Sequence, residues 1–141
     1  MIVKASLEDV IHLLPLVEEF AKEIGLYDYF EKKLTSSTLA ECIRFGVCYR
    51  DSEFRGLIAG SPVRSPWTSK VCILHEHVFF VRRDHRKGML GQMLLRSYSE
   101  DAKKWGLNSL KLMSSSPDIR KLYESLGFNE AETTYMRFNG G

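Results

Sequence analysis

Four basic side chains and two glycines lie close together between positions 82 and 91. The basic residues are Arg82, Arg83, Arg86 and Lys87, and the glycines are Gly88 and Gly91. Cationic side chains attract phosphate, and glycine lets a phosphate group approach the main chain closely. This composition indicates a binding site for a polyanionic ligand; the alternative is a solvated basic loop ahead of an ordinary helix.

The elements on either side of this turn would place it at the start of a helix. Residues Val78–Val81 form an apolar, β-branched and aromatic run, which predicts a buried strand. From Met89 onwards the apolar residues recur with a helical period, and Gly106 stands where the helix would end. The first N–H groups of a helix have no intrahelical partner and lie at the positive end of its dipole, so they favour a phosphate ligand.

The spacing of this segment argues against two common phosphate loops and resembles a third. The sequence contains neither Gly-x-x-x-x-Gly-Lys-Ser/Thr nor Gly-x-Gly-x-x-Gly, the patterns of P-loop hydrolases and dinucleotide-binding folds. Residues Val81–Leu95 resemble the acetyl-CoA pyrophosphate loop of the GNAT family of N-acetyltransferases, whose pattern Arg/Gln-x-x-Gly-x-Gly/Ala opens the central helix. Arg86 and Gly91 match it, while Met89 replaces the middle glycine and Gly88 lies one residue earlier.

A second segment carries the same resemblance. Leu122–Phe128, with the sequence Leu-Tyr-Glu-Ser-Leu-Gly-Phe, is similar to the family's Tyr-Glu-x-x-Gly-Phe segment and follows the phosphate loop at a suitable distance. The resemblance covers about residues 1–138. It implies an enzyme, an acetyl-CoA-dependent N-acetyltransferase, in which a small-molecule or peptide amine attacks the acetyl group directly within a ternary complex.

The resemblance also implies which residues hold acetyl-CoA. Backbone N–H groups of the turn would bind the pyrophosphate, and the end of the preceding strand would pair with the pantetheine arm as a neighbouring strand does. Ser116 occupies a position where relatives often have an asparagine that contacts this arm. The implied cofactor-binding residues are Phe79, Phe80, Val81, Arg86, Lys87, Gly88, Met89, Leu90, Gly91, Gln92 and Ser116.

Acetyl transfer needs a proton donor for the departing thiolate and a base for the amine. Tyr123 matches the family tyrosine near the thioester sulfur, which implies that it is the donor; the alternative is a tyrosine that packs a short helix against the sheet. The base is Glu76, His77 or water, since histidine accepts a proton near neutral pH, directly or through water, and glutamate would attract a cationic amine. The alternatives are a hydrogen-bonded strand histidine and a solvated glutamate. On a regular strand His77 shares a face with Phe79 and Glu76 lies on the other face, but a bulge would change this register.

No metal site is expected in this strand. Cys72 has the opposite strand parity to His75 and His77, which leaves two ligands on one face where zinc needs three or four. The same parity argues against a Cys–His nucleophile.

Length and composition limit the class of protein. The chain has 141 residues and is 44% hydrophobic, which predicts one domain over residues 1–141. Its 20 basic and 18 acidic residues give a net charge of +2, which argues against nucleic-acid or membrane partners. The three cysteines include no Cys-x-x-Cys pair, and the sequence shows no signal peptide or membrane-spanning run, so we expect a cytoplasmic protein. A homodimer is compatible with these data.

The hydrophobic pattern predicts a mixed α/β fold, with a mostly antiparallel central sheet and about four helices, and this order resembles the GNAT fold. Ser6 and Asp9 would cap the first helix, Pro15 would kink or divide it, and Gly25 would end it. The other predicted helices run from Ser36 or Ser37 to about Phe45, from Met89 to Trp105 and from Pro117 to Gly127. The predicted strands are Met1–Ala5, Val47–Arg50, Arg55–Ser61, Val71–Val81, Ser109–Met113 and Ala131–Phe138.

Two connecting segments bear on the acceptor. The three aromatic residues within positions 26–30 are expected to pack under the helix connection, in preference to lining a pocket. Ser61–Lys70, which contains Pro62 and Trp67, is predicted to form a loop. In relatives, the segments corresponding to 25–34 and 129–134 shape the acceptor pocket.

The main alternative function is a non-catalytic acyl-CoA-binding or interaction domain with the same fold. Met89, Ser116 and the undecided base leave this alternative open. A nucleic-acid-binding module that uses the basic turn is a third hypothesis, and the low net charge disfavours it.

Overall fold

The computed structural model describes residues 1–104, 109–111, 117–130 and 137. The strands are β1 (Ile2–Lys4), β2 (Val47–Asp51), β3 (Gly56–Arg64), β4 (Cys72–Val81) and β5 (Ser109–Lys111). The helices are α1 (Val10–Glu23), α2 (Lys32–Phe45), α3 (Leu90–Lys104) and α4 (Pro117–Ser125). Ser116 and nearly all of the predicted strand Ala131–Phe138 lie outside the described residues.

The five strands form one sheet in the order β1-β2-β3-β4-β5. The first four are antiparallel neighbours, whereas β5 runs parallel to β4 after the crossover through α3. The predicted mixed α/β fold with a mostly antiparallel sheet is therefore confirmed.

Helices cover both faces of this sheet. Leu13 and Leu16 of α1 and Leu39 of α2 pack on one face, against alternate residues of the central strands. Leu94 of α3 and Tyr123 of α4 pack on the other face. Successive buried side chains of β2 and β3 therefore point alternately to the two faces, where they join two separate cores.

The start of α1 follows the predicted capping pattern. The Ser6 backbone N–H donates to the Asp9 carboxylate at 2.9 Å, and Arg50 pairs with the same carboxylate at 2.8 Å. Pro15 does not divide the helix, which continues from Val10 to Glu23. Pro15 lies on the exposed side, where water can satisfy the carbonyl that loses its N–H partner, while Leu13 and Leu16 anchor both sides of it.

The second helix begins earlier than predicted. It starts at Lys32, so the prediction of a start at Ser36 or Ser37 is wrong. Both serine hydroxyls bond back to carbonyls one turn earlier, at 2.9 Å and 3.2 Å, as serines inside a helix can do.

The expected packing of the aromatic segment before α2 is also wrong. Tyr27 and Tyr29 are 43% and 63% exposed. The Tyr27 hydroxyl donates to Glu18 at 3.0 Å, and the Lys22 ammonium lies 4.6 Å from its ring centroid. Polar contacts at the surface of α1 therefore hold this ring.

Strand β3 extends through part of the segment predicted as a loop. Pro62 pairs with Leu74, and the strand ends at Arg64. Strand β2 pairs with β3 only as far as Gly60, so the last residues of β3 form a sheet edge. Proline is tolerated at an edge because its missing N–H leaves no ladder partner unpaired.

Within the described residues, no helix combines the length and apolar composition that crossing a bilayer requires.

Candidate active site at the bulge of strand β4

A bulge in β4 decides which way the candidate bases face. Ala59 of β3 pairs with Val78, but the next residue, Gly60, pairs with Glu76, so His77 is an extra residue in β4. The regular register, with His77 on the face of Phe79, is therefore wrong, and the bulged alternative is what the structure shows.

The two candidate bases consequently lie on opposite faces of the sheet. Glu76 is 4% exposed and shares the α3/α4 face with Phe79. His77 lines a cleft on the α1/α2 face, next to Val78. The structure thus brings Glu76, but not His77, to the side chain of Tyr123.

Tyr123 and Glu76 form a buried polar pair. The Tyr123 hydroxyl donates to Glu76 Oε1 at 2.9 Å, and the Tyr123 ring lies 6.2 Å from the ring of Phe79. Burial raises the pKa of Tyr123 well above its usual value, and the nearby Glu76 carboxylate raises it further. The phenol therefore keeps its proton.

Strand β4, which carries Glu76, continues beyond the residues that pair with β5. Strand β5 pairs in parallel with Ile73–His75, whereas β4 continues to Val81 and remains paired with β3 on its other side. Strand β4 passes Tyr123 at Phe79, so an extended ligand that follows the main chain of Phe79–Val81 would lie beside Tyr123.

The turn after β4 leads directly into α3. A short 3-10 turn, Arg83–His85, follows the strand, and the Met93 N–H makes its intrahelical bond to Met89 O at 2.9 Å. The N–H groups of the residues before Met93 in α3 have no carbonyl one turn earlier within the helix. A Cβ at Gly88 would meet no atom within 4 Å, so ligand atoms can approach this main chain.

Gly91 lies between the turn and the elements that carry the buried Tyr123–Glu76 pair. A Cβ on Gly91 would lie 3.6 Å from side-chain atoms of both Phe79 and Leu122. The start of α3 is therefore close to β4 and to α4, which carries Tyr123. Met89, which replaces the family's middle glycine, is 60% exposed.

The arginines of the turn are engaged with α1. Arg86 forms a bidentate pair with Glu23, with both N–O distances 2.7 Å, and donates from Nε to Val81 O at 2.7 Å. Arg83 also contacts Glu23, and Arg82 pairs with Glu19 at 3.0 Å. The hydrogen bond from Arg86 holds the pKa of Glu23 below its usual value. These arginines therefore fix the turn against the end of α1.

Sequence reasoning missed Glu19 and Glu23. Both lie on the last turns of α1, 60 to 63 residues before the arginines that they contact. An acidic residue on an exposed helix face gives no signal of so distant a partner.

A cleft of about 170 Å³ opens on the α1/α2 face beside the bulge. His77 lies in its wall, and His77 Nε2 is 2.6 Å from Ser61 Oγ. Partial burial lowers the pKa of His77, and neighbouring His75 lowers it further. Ser61 was also missed from the sequence, because its contact with His77 depends on how β3 aligns with the bulged strand β4.

Among the described residues, no group of three or more His, Cys, Asp or Glu side chains is arranged to hold a metal ion.

Comparison with known proteins assigns the family. The model of the Acetyltransferase (GNAT) family matches residues 7–128, which is most of the chain. The chain belongs to the GNAT acetyltransferase family. The predicted family is thereby confirmed, and so is the prediction of an N-acetyltransferase at the level of the family. No curated protein matches this GNAT chain significantly.

Solved structures share the fold at low sequence identity. A probable acetyltransferase is 20% identical, with a TM-score of 0.78 over 100% of this chain and 99% of the other. A ribosomal-protein-alanine N-acetyltransferase from Brucella melitensis biovar Abortus 2308 is 21% identical, with a TM-score of 0.75 over 98% of each chain. A predicted acetyltransferase with acetyl-CoA, from Clostridium acetobutylicum, is 14% identical, with a TM-score of 0.80 over 99% and 95% of the two chains. These likenesses show the GNAT fold.

Proposed function

We propose that this GNAT protein is a cytoplasmic enzyme, formed by one domain over residues 1–141, that transfers the acetyl group of acetyl-CoA to a primary amine. The amine attacks directly within a ternary complex. The observation that carries this proposal is the buried Tyr123–Glu76 hydrogen bond of 2.9 Å beside the β4 edge. This bond supports the proposal because the Tyr123 hydroxyl lies beside the part of β4 along which an extended ligand could bind.

The residues of the turn fit the donor substrate. Acetyl-CoA supplies a thioester that is already activated towards amines. The main chain of Phe79–Val81 can pair with its extended arm, and the N–H groups at the start of α3 can receive its pyrophosphate. Arg86 acts through its bonds to Val81 and Glu23, which hold the turn in place. The Clostridium acetobutylicum neighbour with acetyl-CoA, which shares this fold, supports the same ligand here.

Tyr123 is proposed as the general acid. Its high pKa keeps the phenol protonated at neutral pH, so it is a ready donor to a departing thiolate. A free phenolate beside the Glu76 carboxylate would be costly, because two negative charges would share a buried site. We therefore propose that the phenolate formed when Tyr123 protonates the sulfur is short-lived and takes its proton back from solvent.

His77 is proposed as the base for the amine. It faces the cleft on the α1/α2 side, and its lowered pKa keeps the imidazole neutral near pH 7. We place the thioester at the edge of β4, between the two faces of the sheet. As the new C–N bond forms and the C–S bond breaks there, His77 takes the amine proton from the α1/α2 side and Tyr123 protonates the thiolate from the α3/α4 side. Exchange with solvent then returns both side chains to their starting states.

The test is a thiol-release assay with acetyl-CoA and a broad panel of primary amines, together with thermal melts. Acetyl-CoA at about 100 times its Kd should stabilise the fold by about 2.7 kcal/mol, and at least one amine should release free CoA at a saturable rate. Stabilisation by acetyl-CoA without thiol release from any amine would instead support a non-catalytic acyl-CoA-binding domain. If acetyl-CoA does not stabilise the fold and no amine releases thiol, both functions are excluded.

A further inference from the structure

The cleft beside His77 is lined mainly by apolar side chains. Its floor and walls are almost entirely apolar: Val17, Leu34, Leu39, Cys42, Ala59 and Val78. Leu39, Cys42 and Ala59 are at most 2% exposed and form the buried floor. Burial raises the pKa of the Cys42 thiol to about 12, so this thiol stays neutral and contributes no charge.

The polar residues that line the cleft are Thr35, Thr38 and His77. The Thr38 hydroxyl bonds back to Leu34 O at 3.0 Å and so is directed to its own helix. Among the described residues of the lining, His77, bonded to Ser61, is the side chain that can gain or lose a proton near neutral pH, and Glu41 acts electrostatically on it. Among the described residues that line the cleft, none is a carboxylate.

We propose that the acceptor is a primary amine that carries one aromatic ring or branched alkyl group and no second charge. The apolar group fills the cleft, and the amine lies at the His77 end and attacks in its neutral form after it loses one proton to solvent. This inference rests on the proposed function, because it names the substrate class of the same site.

Size and charge both support this class of acceptor. The cleft volume of about 170 Å³ compares with an apolar cavity of about 150 Å³ that is large enough to bind benzene. A polyamine or an aminoglycoside would place further ammonium groups against apolar side chains without a carboxylate to pair with them. A single ring or branched chain avoids that cost and displaces water from apolar surface.

Two substitutions on α2 separate filling of the cleft from a general effect on the helix. Thr35 lines the cleft, whereas Ser37 is exposed and does not line it. Thr35→Trp should occupy the cleft, and Ser37→Trp is the matched control with the same added side chain. Thr38→Trp, on the same cleft wall, replaces Thr35→Trp if circular dichroism shows that the latter does not fold.

The assay compares 2-phenylethylamine and isoamylamine with spermidine and an alanine-initiated peptide. We expect kcat/KM for 2-phenylethylamine to exceed that for spermidine by about tenfold or more. Thr35→Trp should raise the KM for 2-phenylethylamine by about tenfold, with little change in Kd for CoA, while Ser37→Trp resembles the wild type. Preference for spermidine or the peptide, or an unchanged KM in Thr35→Trp, would overturn the inference and leave acetyl transfer intact.

Equilibrium binding keeps the inference testable if no amine releases thiol. In that case the proposed function fails, and calorimetry with 2-phenylethylamine alone tests the cleft. Binding to wild type and Ser37→Trp that is lost in Thr35→Trp supports the apolar cleft as a ligand site. Absence of binding to the wild-type protein overturns it.

Discussion

Tyr123 and Glu76 lie 47 residues apart in the chain and share a buried hydrogen bond of 2.9 Å. Tyr123 comes from the short helix α4, and Glu76 reaches the same face because His77 bulges out of β4. The bulge therefore does two things at once: it joins the proposed acid to a carboxylate, and it turns the proposed base to the opposite face of the sheet.

Replacing Tyr123 with phenylalanine should separate catalysis from binding. We expect Tyr123→Phe to lower kcat by about 100-fold or more, because the thiolate loses its proton donor. The Kd for acetyl-CoA should stay within about twofold, since the implied binding contacts are mainly main-chain groups. Single-turnover thiol release and calorimetry measure the two quantities.

The chain contains a matched control for this substitution. Tyr27 also donates to a glutamate, Glu18, at 3.0 Å, but on the surface. Tyr27→Phe removes an equivalent bond and should leave kcat unchanged. Equal rates in Tyr123→Phe and Tyr27→Phe would show that Tyr123 is not the acid.

The pH dependence of kcat/KM should report His77. A base works only in its neutral form, so the rate should rise with pH through the pKa of His77, and it should rise again at higher pH as the ammonium form of the acceptor loses its proton. Because burial and His75 lower this pKa, the midpoint should lie below 6.5, the usual value for histidine. His77→Gln should abolish the rise of the rate near the pKa of His77 and lower the rate by about 100-fold.

Two neighbours of His77 should move this midpoint in opposite directions. His75 disfavours the protonated form of His77, so His75→Gln should raise the midpoint. Glu41 favours the protonated form, so Glu41→Gln should lower it. A pH profile that responds to neither substitution would exclude His77 as the titrating base.

Local sequence patterns were enough to predict the strand, the basic turn and the helix that follow one another between residues 72 and 104. The alternation of apolar residues, the glycines of the turn and the helical period all act over a few neighbours. Tyr123 was singled out for the same reason, since its motif is contiguous. The structure adds its contact with Glu76.

Features that depend on distant partners could not be predicted in this way. The position of the bulge is a property of how β3 aligns with β4, so the faces of Glu76 and His77 could not be read from β4 alone. The pairing of Arg86 with Glu23 depends on how α1 packs beside the turn. The alternation of residues along one strand does not reveal the position of the bulge, and the local charge pattern does not reveal the Arg86–Glu23 pair.

The pairing of Arg86 with Glu23 predicts how acetyl-CoA binding responds to a charge change on α1. If Arg86 acts as a tether, Glu23→Gln should loosen the turn and weaken acetyl-CoA binding severalfold, although it removes a negative charge from the vicinity. Loss of this partly exposed pair should also cost about 1 kcal/mol of stability. Calorimetry and denaturant titration measure both effects.

An opposite result would assign Arg86 a different role. If Arg86 binds phosphate directly, freeing it from Glu23 should tighten acetyl-CoA binding. Glu8→Gln, which removes the same charge from an exposed position before α1, controls for the change in net charge. If Glu23→Gln but not Glu8→Gln binds acetyl-CoA more tightly, Arg86 binds phosphate directly and its main role is not to hold the turn against α1.

The last prediction concerns Met89, whose side chain is 60% exposed at the turn. A Cβ at this place limits how closely a pyrophosphate can approach the main chain, and only glycine removes it. Met89→Gly should therefore tighten acetyl-CoA binding severalfold, while it lowers stability by up to about 1 kcal/mol through the greater freedom of the unfolded chain. Met89→Ala keeps the Cβ and should bind acetyl-CoA as the wild type does. If both variants gain affinity equally, the long methionine side chain and not the Cβ is the obstacle, and the backbone approach at Met89 has no part in holding the phosphate.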